Sequence, residues 1–169
     1  MSKKRVNGKS KGNNFERTIA NMFSERFAAH TGIPQSFRRN PDSGSFFGGT
    51  NVSRTETHDT DWAIYGDLIC PRNFNFSVEC KHYKTPPTLN SILKEDVSDW
   101  DKWLKQARQD ASTSGKQMMV IIRYNRTETL VMFDKDILEI DPIIHYKDTE
   151  IFTLEEVLER EDSFFFADK

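Results

Sequence analysis

The sequence predicts a mixed α/β fold, a mixed central β-sheet flanked by helices. Two long stretches carry apolar residues at helical spacing, and several shorter ones carry them at strand spacing. Their order is helix, hairpin strands, helix, strand, strand and a short terminal helix. At 169 residues the chain suits one domain. A domain of that size buries roughly 68–70% of its extended surface on folding.

Residues 1–12 hold Lys, Ser, Gly and Asn with almost nothing to bury, so they are expected to form a flexible basic N-terminal arm ahead of a single domain at 13–169. Asn13 and Asn14 suit a helix cap. Phe15, Ile19, Met22, Phe23 and Phe27 then follow at amphipathic spacing until Gly32 and Pro34 end the helix. Residues 38–60, rich in Arg, Ser, Gly, Asn and Thr, have neither period and read as a long loop or a short irregular hairpin. Trp62 to Cys70 is extended chain interrupted by Gly66, and Pro71-Arg72-Asn73 turns it into a strand from Phe74 to Tyr83. Beyond Pro86-Pro87, the residues Trp100, Trp103, Leu104, Ala107 and Ala111 form one apolar stripe closed by Gly115, the second major helix. Met118 to Tyr124 reads as a buried central strand, Asn125 to Glu128 as a turn, and Thr129 to Phe133 as its partner. Thr153 and Glu156 form a capping box for a helix through Leu158, and Phe164-Phe165-Phe166 is expected to dock on the core or on a partner subunit.

Thirteen Phe and three Trp are far too many aromatic residues for a disordered chain. No apolar run approaches the ~18 residues of a membrane span, and Met1-Ser2-Lys3-Lys4-Arg5 lacks the apolar stretch of a secretory signal, so a cytoplasmic location is expected. The two cysteines, Cys70 and Cys80, are expected to stay reduced. A net charge of −2 argues at first against a nucleic-acid partner. The distribution tempers this, because Lys3, Lys4, Arg5, Lys9 and Lys11 precede the first acid while Glu155, Glu156, Glu159, Glu161 and Asp162 crowd the end.

Phosphodiester hydrolysis calls for a divalent cation, and carboxylates are the ligands hard cations prefer. On the strand Phe74 to Tyr83 side chains alternate, so Glu79 and Lys81 share one face and Val78 and Cys80 the other. If the turn at 71–73 closes symmetrically, Asp67 lies opposite Ser77 and diagonal to Glu79, at roughly 7–8 Å between Cα atoms. Two carboxylates so placed can share a metal, with Lys81 beside them and the Cys80 backbone carbonyl as a further ligand. An acid-x-Lys tripeptide by itself is weak, since about two are expected by chance in a chain of this composition. The bland alternative is a solvated strand face with Asp67 as a turn residue.

Gly66-Asp67-Leu68 followed by Ser77-Val78-Glu79-Cys80-Lys81 resembles the signature of the PD-(D/E)xK nucleases, and the element order resembles their restriction-endonuclease-like core. Arg39-Asn40-Pro41-Asp42-Ser43-Gly44 is similar to the R-x-P-x-S-G segment of archaeal-type Holliday-junction resolvases, which have cellular, viral and phage relatives. The likeness covers residues 13 to about 124, although Phe46 to Trp62 is longer than in those resolvases. It implies that Asp67 and Glu79 bind Mg²⁺ or Mn²⁺, that Lys81 assists the nucleophilic water and that Glu16 completes the acidic cluster. Arg38, Arg39 and Ser43 would contact DNA near the scissile phosphate, with Lys84 and Gln106 as further DNA-binding candidates. The implied protein is a homodimer that cuts branched double-stranded DNA twice, with no organic cofactor, in the cytoplasm of a prokaryote or a phage-infected host.

Other readings stay open: a restriction-like endonuclease, an exonuclease on linear ends, and a non-catalytic DNA-binding module. A zinc site from His58, Cys70, Cys80 and His82 is disfavoured, because Cys70 and His58 lack paired ligand spacing.

Overall fold

In the computed structural model, which describes residues 8–41 and 65–167, the first amphipathic stretch forms α1 (Gly8–Arg26). It begins earlier than the Asn13-Asn14 cap the sequence suggests, so residues 8–12 of the expected arm are helical. Lys11 accounts for this: its Nζ donates to Asn125 Oδ1 at 2.6 Å and to the Tyr83 carbonyl at 3.4 Å, tying the first turn to the sheet. Phe15, Ile19 and Phe23 are buried, whereas Met22 lies on the rim. The short α2 (Ala28–Thr31) stops at Gly32, which takes the left-handed conformation of a helix C-cap.

Arg38–Arg39 (β1) pairs antiparallel with Leu68–Ile69 (β2) in a two-stranded sheet. This corrects the expected hairpin of residues 62–83. The strand β3 (Phe76–Tyr83) forms no ladder with β2. The turn does form, with Phe74 N–H donating to Pro71 at 3.0 Å, but β2 is taken by β1 and it is Asp67 that reaches across, its N–H donating to the Val78 carbonyl at 2.7 Å.

A crossover of α3 (Leu89–Leu93) and α4 (Ser98–Ser114) brings the chain back to β4 (Gln117–Tyr124), parallel to β3. Antiparallel β5 (Thr129–Asp134), β6 (Ile144–Tyr146) and β7 (Thr149–Thr153) complete a five-stranded mixed sheet in the order β3-β4-β5-β7-β6. Period-two alternation separates two cores. On one face Phe76, Val78, Cys80, Met119 and Ile121 pack with Phe15, Ile19 and Phe23 of α1. On the other, Met118, Val120 and Ile122 pack with the full Trp100, Trp103, Leu104, Ala107 and Ala111 stripe of α4.

Thr153 caps α5 (Leu154–Leu158), its Oγ1 accepting from Glu156 N–H, which is the N-cap half of the expected capping box. After α6 (Asp162–Phe165), Phe165 and Phe166 dock on the chain's own core, their rings 4.7 and 5.1 Å from Phe27. Asn75 N–H donates to Phe165 at 2.8 Å, so the tail covers the start of β3's outer edge. Among the described residues no helix is long and apolar enough to cross a membrane.

Candidate active site

Beyond the tail, the outer edge of β3 is met by the segment Gly66-Asp67. Gly66 has φ +84°, and a Cβ there would lie 2.6 Å from the Val78 carbonyl oxygen, so this approach needs glycine. Asp67 is clamped three ways. Its N–H donates to Val78, its carbonyl accepts from Asn40 N–H at 2.8 Å, and its Oδ2 accepts from Cys80 N–H at 2.8 Å. Asn40 Nδ2 also donates to the Gly66 carbonyl at 3.0 Å. The buried Asn40 is thus a positioning residue that sequence reasoning passed over, although it lies inside the Arg39 to Gly44 segment.

Glu79 and Lys81 share the α4 face of β3, as strand parity predicts, and are ion-paired. Opposite them α1 presents Lys9, Gly12, Asn13 and Glu16, spaced to form one helical stripe. Arg39 closes that side, its Nε donating to Glu16 Oε2 at 2.6 Å and its Nη2 to Asn13 Oδ1 at 3.0 Å. Asp67, Cys80 and Gln106 complete the wall of a cleft of about 350 Å³. Glu16, Arg39, Asp67, Glu79, Cys80, Lys81 and Gln106 therefore come together.

Two other candidates do not join them. Arg38 is exposed and lines a different cleft with Ile69 and Cys70, because neighbouring strand residues point to opposite faces. Lys84 is exposed beyond the end of β3 and does not line the cleft. Ser43 lies outside the described residues, as does Gly44.

Burial raises the pKa of Glu79 most, with Asp67 adding to it, and despite the pull of Lys81 its carboxyl is pushed up to about 7. Glu16 is raised by burial and by Asp67 against the opposing effect of Arg39. For Lys81, burial works against the ammonium, but Glu79 and Asp67 outweigh it and hold its pKa above the ordinary value. Asp110, one turn after Gln106 on α4, is half-buried and raised by burial and then by Asp67. Sequence reading missed it, although its i+4 spacing from Gln106 was available. These groups form a pocket of crowded negative charge with the Lys81 ammonium inside and Lys9 on its wall, suited to a cation and to a water or phosphate beside Lys81.

The metal fit follows from this donor set. Among the described residues no three His, Cys, Asp or Glu side chains form a ready ligand cage. Mg²⁺ does not require one, since it is usually held by one or two carboxylates with several waters. Zinc fits poorly. Among the described residues Cys70, Cys80 and His82 form no three-ligand group, burial of both thiols disfavours their ionised form, and His58 lies outside those residues.

Near the end of β3, His82 rests against the Phe15 ring at 5.2 Å, and its pKa is lowered by burial and then by Lys11 and Arg123.

A family model described as "Phage putative PDDEXK endonuclease" matches residues 7–164. No curated protein and no solved structure matches the chain.

Proposed function

The chain belongs to the phage PDDEXK endonuclease family and is a nuclease of the PD-(D/E)xK type, and from that premise we propose that it cuts four-way DNA junctions by paired, Mg²⁺-dependent hydrolysis. The observation that carries the chemistry is the convergence of Asp67, Glu79 and Lys81 at the edge of β3. Asp67 and Glu79 would hold the cation, with Mn²⁺ able to replace Mg²⁺. The Cys80 carbonyl is a third donor: within a strand a residue's N–H and C=O point the same way, and Cys80 N–H points out of the sheet toward Asp67. A bound divalent cation supplies charge neutralisation at the phosphate and a water of lowered pKa.

The protein's own residues supply orientation. Lys81, held protonated by its acidic neighbours, orients the attacking water and faces the developing phosphate charge. Glu16 secures Arg39 at the mouth of the cleft, where the guanidinium lies within reach of a phosphate oxygen. Gln106 offers an amide from the α4 side. Selectivity for junctions is supported by the Arg39 to Gly44 segment. Paired cuts need two active sites, hence a homodimer.

The test presents the purified protein with a four-way junction and a linear duplex of the same sequence, in Mg²⁺ and in EDTA. Symmetric paired cuts on the junction alone, abolished by EDTA, are expected. Equal cutting of both substrates would remove the junction reading and leave a general endonuclease. Binding without cutting would remove the catalytic reading.

A further inference from the structure

Two cationic side chains, Lys11 and Arg123, gather with His82 around the C-terminal ends of β3 and β4, outside the cleft. His82 and Arg123 are register neighbours in the parallel pair, so their side chains project from the same face of the sheet, the one covered by α1. Lys11 reaches over that corner from α1, its ammonium 2.6 Å from Asn125 Oδ1 and 3.4 Å from the Tyr83 carbonyl. Among the described residues none of the three is ion-paired with a carboxylate. Arg123 is exposed and borders a groove with Glu128, Glu155 and Glu159, yet pairs with none of them.

Such a corner is unusual in a chain with more acids than bases. Its position relative to the cleft gives it meaning. Tyr83, whose carbonyl Lys11 touches, is two residues beyond Lys81, roughly 6–7 Å at about 3.3 Å per strand residue. Lys81 faces α4 whereas His82 and Arg123 face α1, so the corner lies on the other face of the sheet from the cleft, where backbone of the same duplex beyond the scissile phosphate can reach it.

We propose that Lys11 and Arg123, with His82 beside them, form a second phosphate-binding station that grips the DNA backbone away from the scissile phosphate. This rests on the nuclease reading and adds a binding site to it. The contact is to backbone phosphate, so it contributes affinity and register without sequence preference. It also assigns Lys11 two tasks, anchoring the first turn of α1 and meeting the substrate.

The experiment measures binding of a labelled duplex by fluorescence anisotropy across a salt series, in an Asp67→Asn background that keeps the DNA intact. Lys11→Gln and Arg123→Gln should each lower the slope of log affinity against log salt by about 0.9, and the double variant by about 2. Lys11→Arg should keep the parent slope, and so should Lys94→Gln at the far edge of the sheet. Thermal melting checks that each variant is folded. Arg123 makes no side-chain hydrogen bond among the described residues, so its variant tests the site even if Lys11→Gln unfolds α1. An unchanged slope in Arg123→Gln and in the double variant would overturn the proposal while leaving the nuclease reading intact. A parent protein that bound no DNA would overturn both.

Discussion

Replacing Glu79 with Gln should stabilise the metal-free protein while destroying its function. Glu79 is 3% exposed, and burial, reinforced by Asp67, lifts its carboxyl from the ordinary 4.5 to about 7. The fold therefore binds the proton more tightly than the unfolded chain does. The resulting stability is complete below about pH 4.5, is lost as pH rises and is gone above about pH 7. At about 1.4 kcal/mol per pH unit, the ionised carboxylate costs about 3 kcal/mol at pH 8. Gln has the shape of the neutral acid and avoids that cost, and Lys81 keeps Asp67 as a counter-charge. For a domain of this size about 3 kcal/mol corresponds to a Tm higher by roughly 6–12 °C. The assay is thermal unfolding by circular dichroism in EDTA at pH 4.5 and pH 8. The two proteins should melt together at the lower pH and separate at the higher. Adding Mg²⁺ at pH 8 should raise the wild-type Tm more than that of the variant. A variant that melts at or below wild type at pH 8 without metal would refute the assignment of Glu79 as a strained buried carboxylate.

Asp67→Asn and Lys81→Ala should each abolish cleavage and leave DNA affinity within a few fold, because phosphate contacts elsewhere supply most of the binding. Gel-based cleavage and anisotropy measure the two properties, and retained cutting by either variant would refute the site. Gly66→Ala should cost about 1–3 kcal/mol through its positive φ and its clash with the Val78 carbonyl. It should also lower kcat by displacing Asp67, so unchanged melting and turnover would show that the close approach does not position the carboxylate.

The parts of this fold legible in the sequence are those written as local periods. The α4 stripe from Trp100 to Ala111 is buried as its spacing predicts, and Gly115 ends the helix in the left-handed conformation. The parity of β3 correctly places Glu79 with Lys81 and apart from Cys80. Elements fixed by distant partners were not legible. The start of α1 depends on Lys11 reaching Asn125, more than a hundred residues away, and no local pattern announces that contact. The expected hairpin failed for the same reason: β2 satisfies its backbone against Arg38 and Arg39, so Asp67 meets Val78 instead of Ser77. The carboxylate still arrives beside Glu79, because the Cys80 N–H captures Oδ2. β6 and β7 passed unread since three- and five-residue strands leave little pattern. Arg38 and Arg39 are equivalent in composition, and only the pleat of β1 decides which one enters the cleft.

An exposed edge strand offers unpaired N–H and C=O groups, which proteins usually cover to avoid pairing with another chain. Here that covering also builds the site. The aromatic tail takes the residues that lead into β3, through Asn75 and the pairing of Phe74 with Phe166. The Gly66-Asp67 segment takes the middle, satisfying the Val78 carbonyl and the Cys80 N–H. The side chain that blunts the edge is a carboxylate, so the same hydrogen bonds that protect the strand fix an anion beside Glu79. Because these bonds run to backbone groups of β3, Asp67 stays in place when the residues facing the cleft are changed. Asn40 extends the arrangement by tying the Asp67 backbone to the residue after Arg39, coupling one wall of the cleft to the other. The crowding that raises Glu79 and Glu16 is a stability cost that a cation bound between them would relieve, so under the proposed function the geometry and the metal affinity would have a common physical origin.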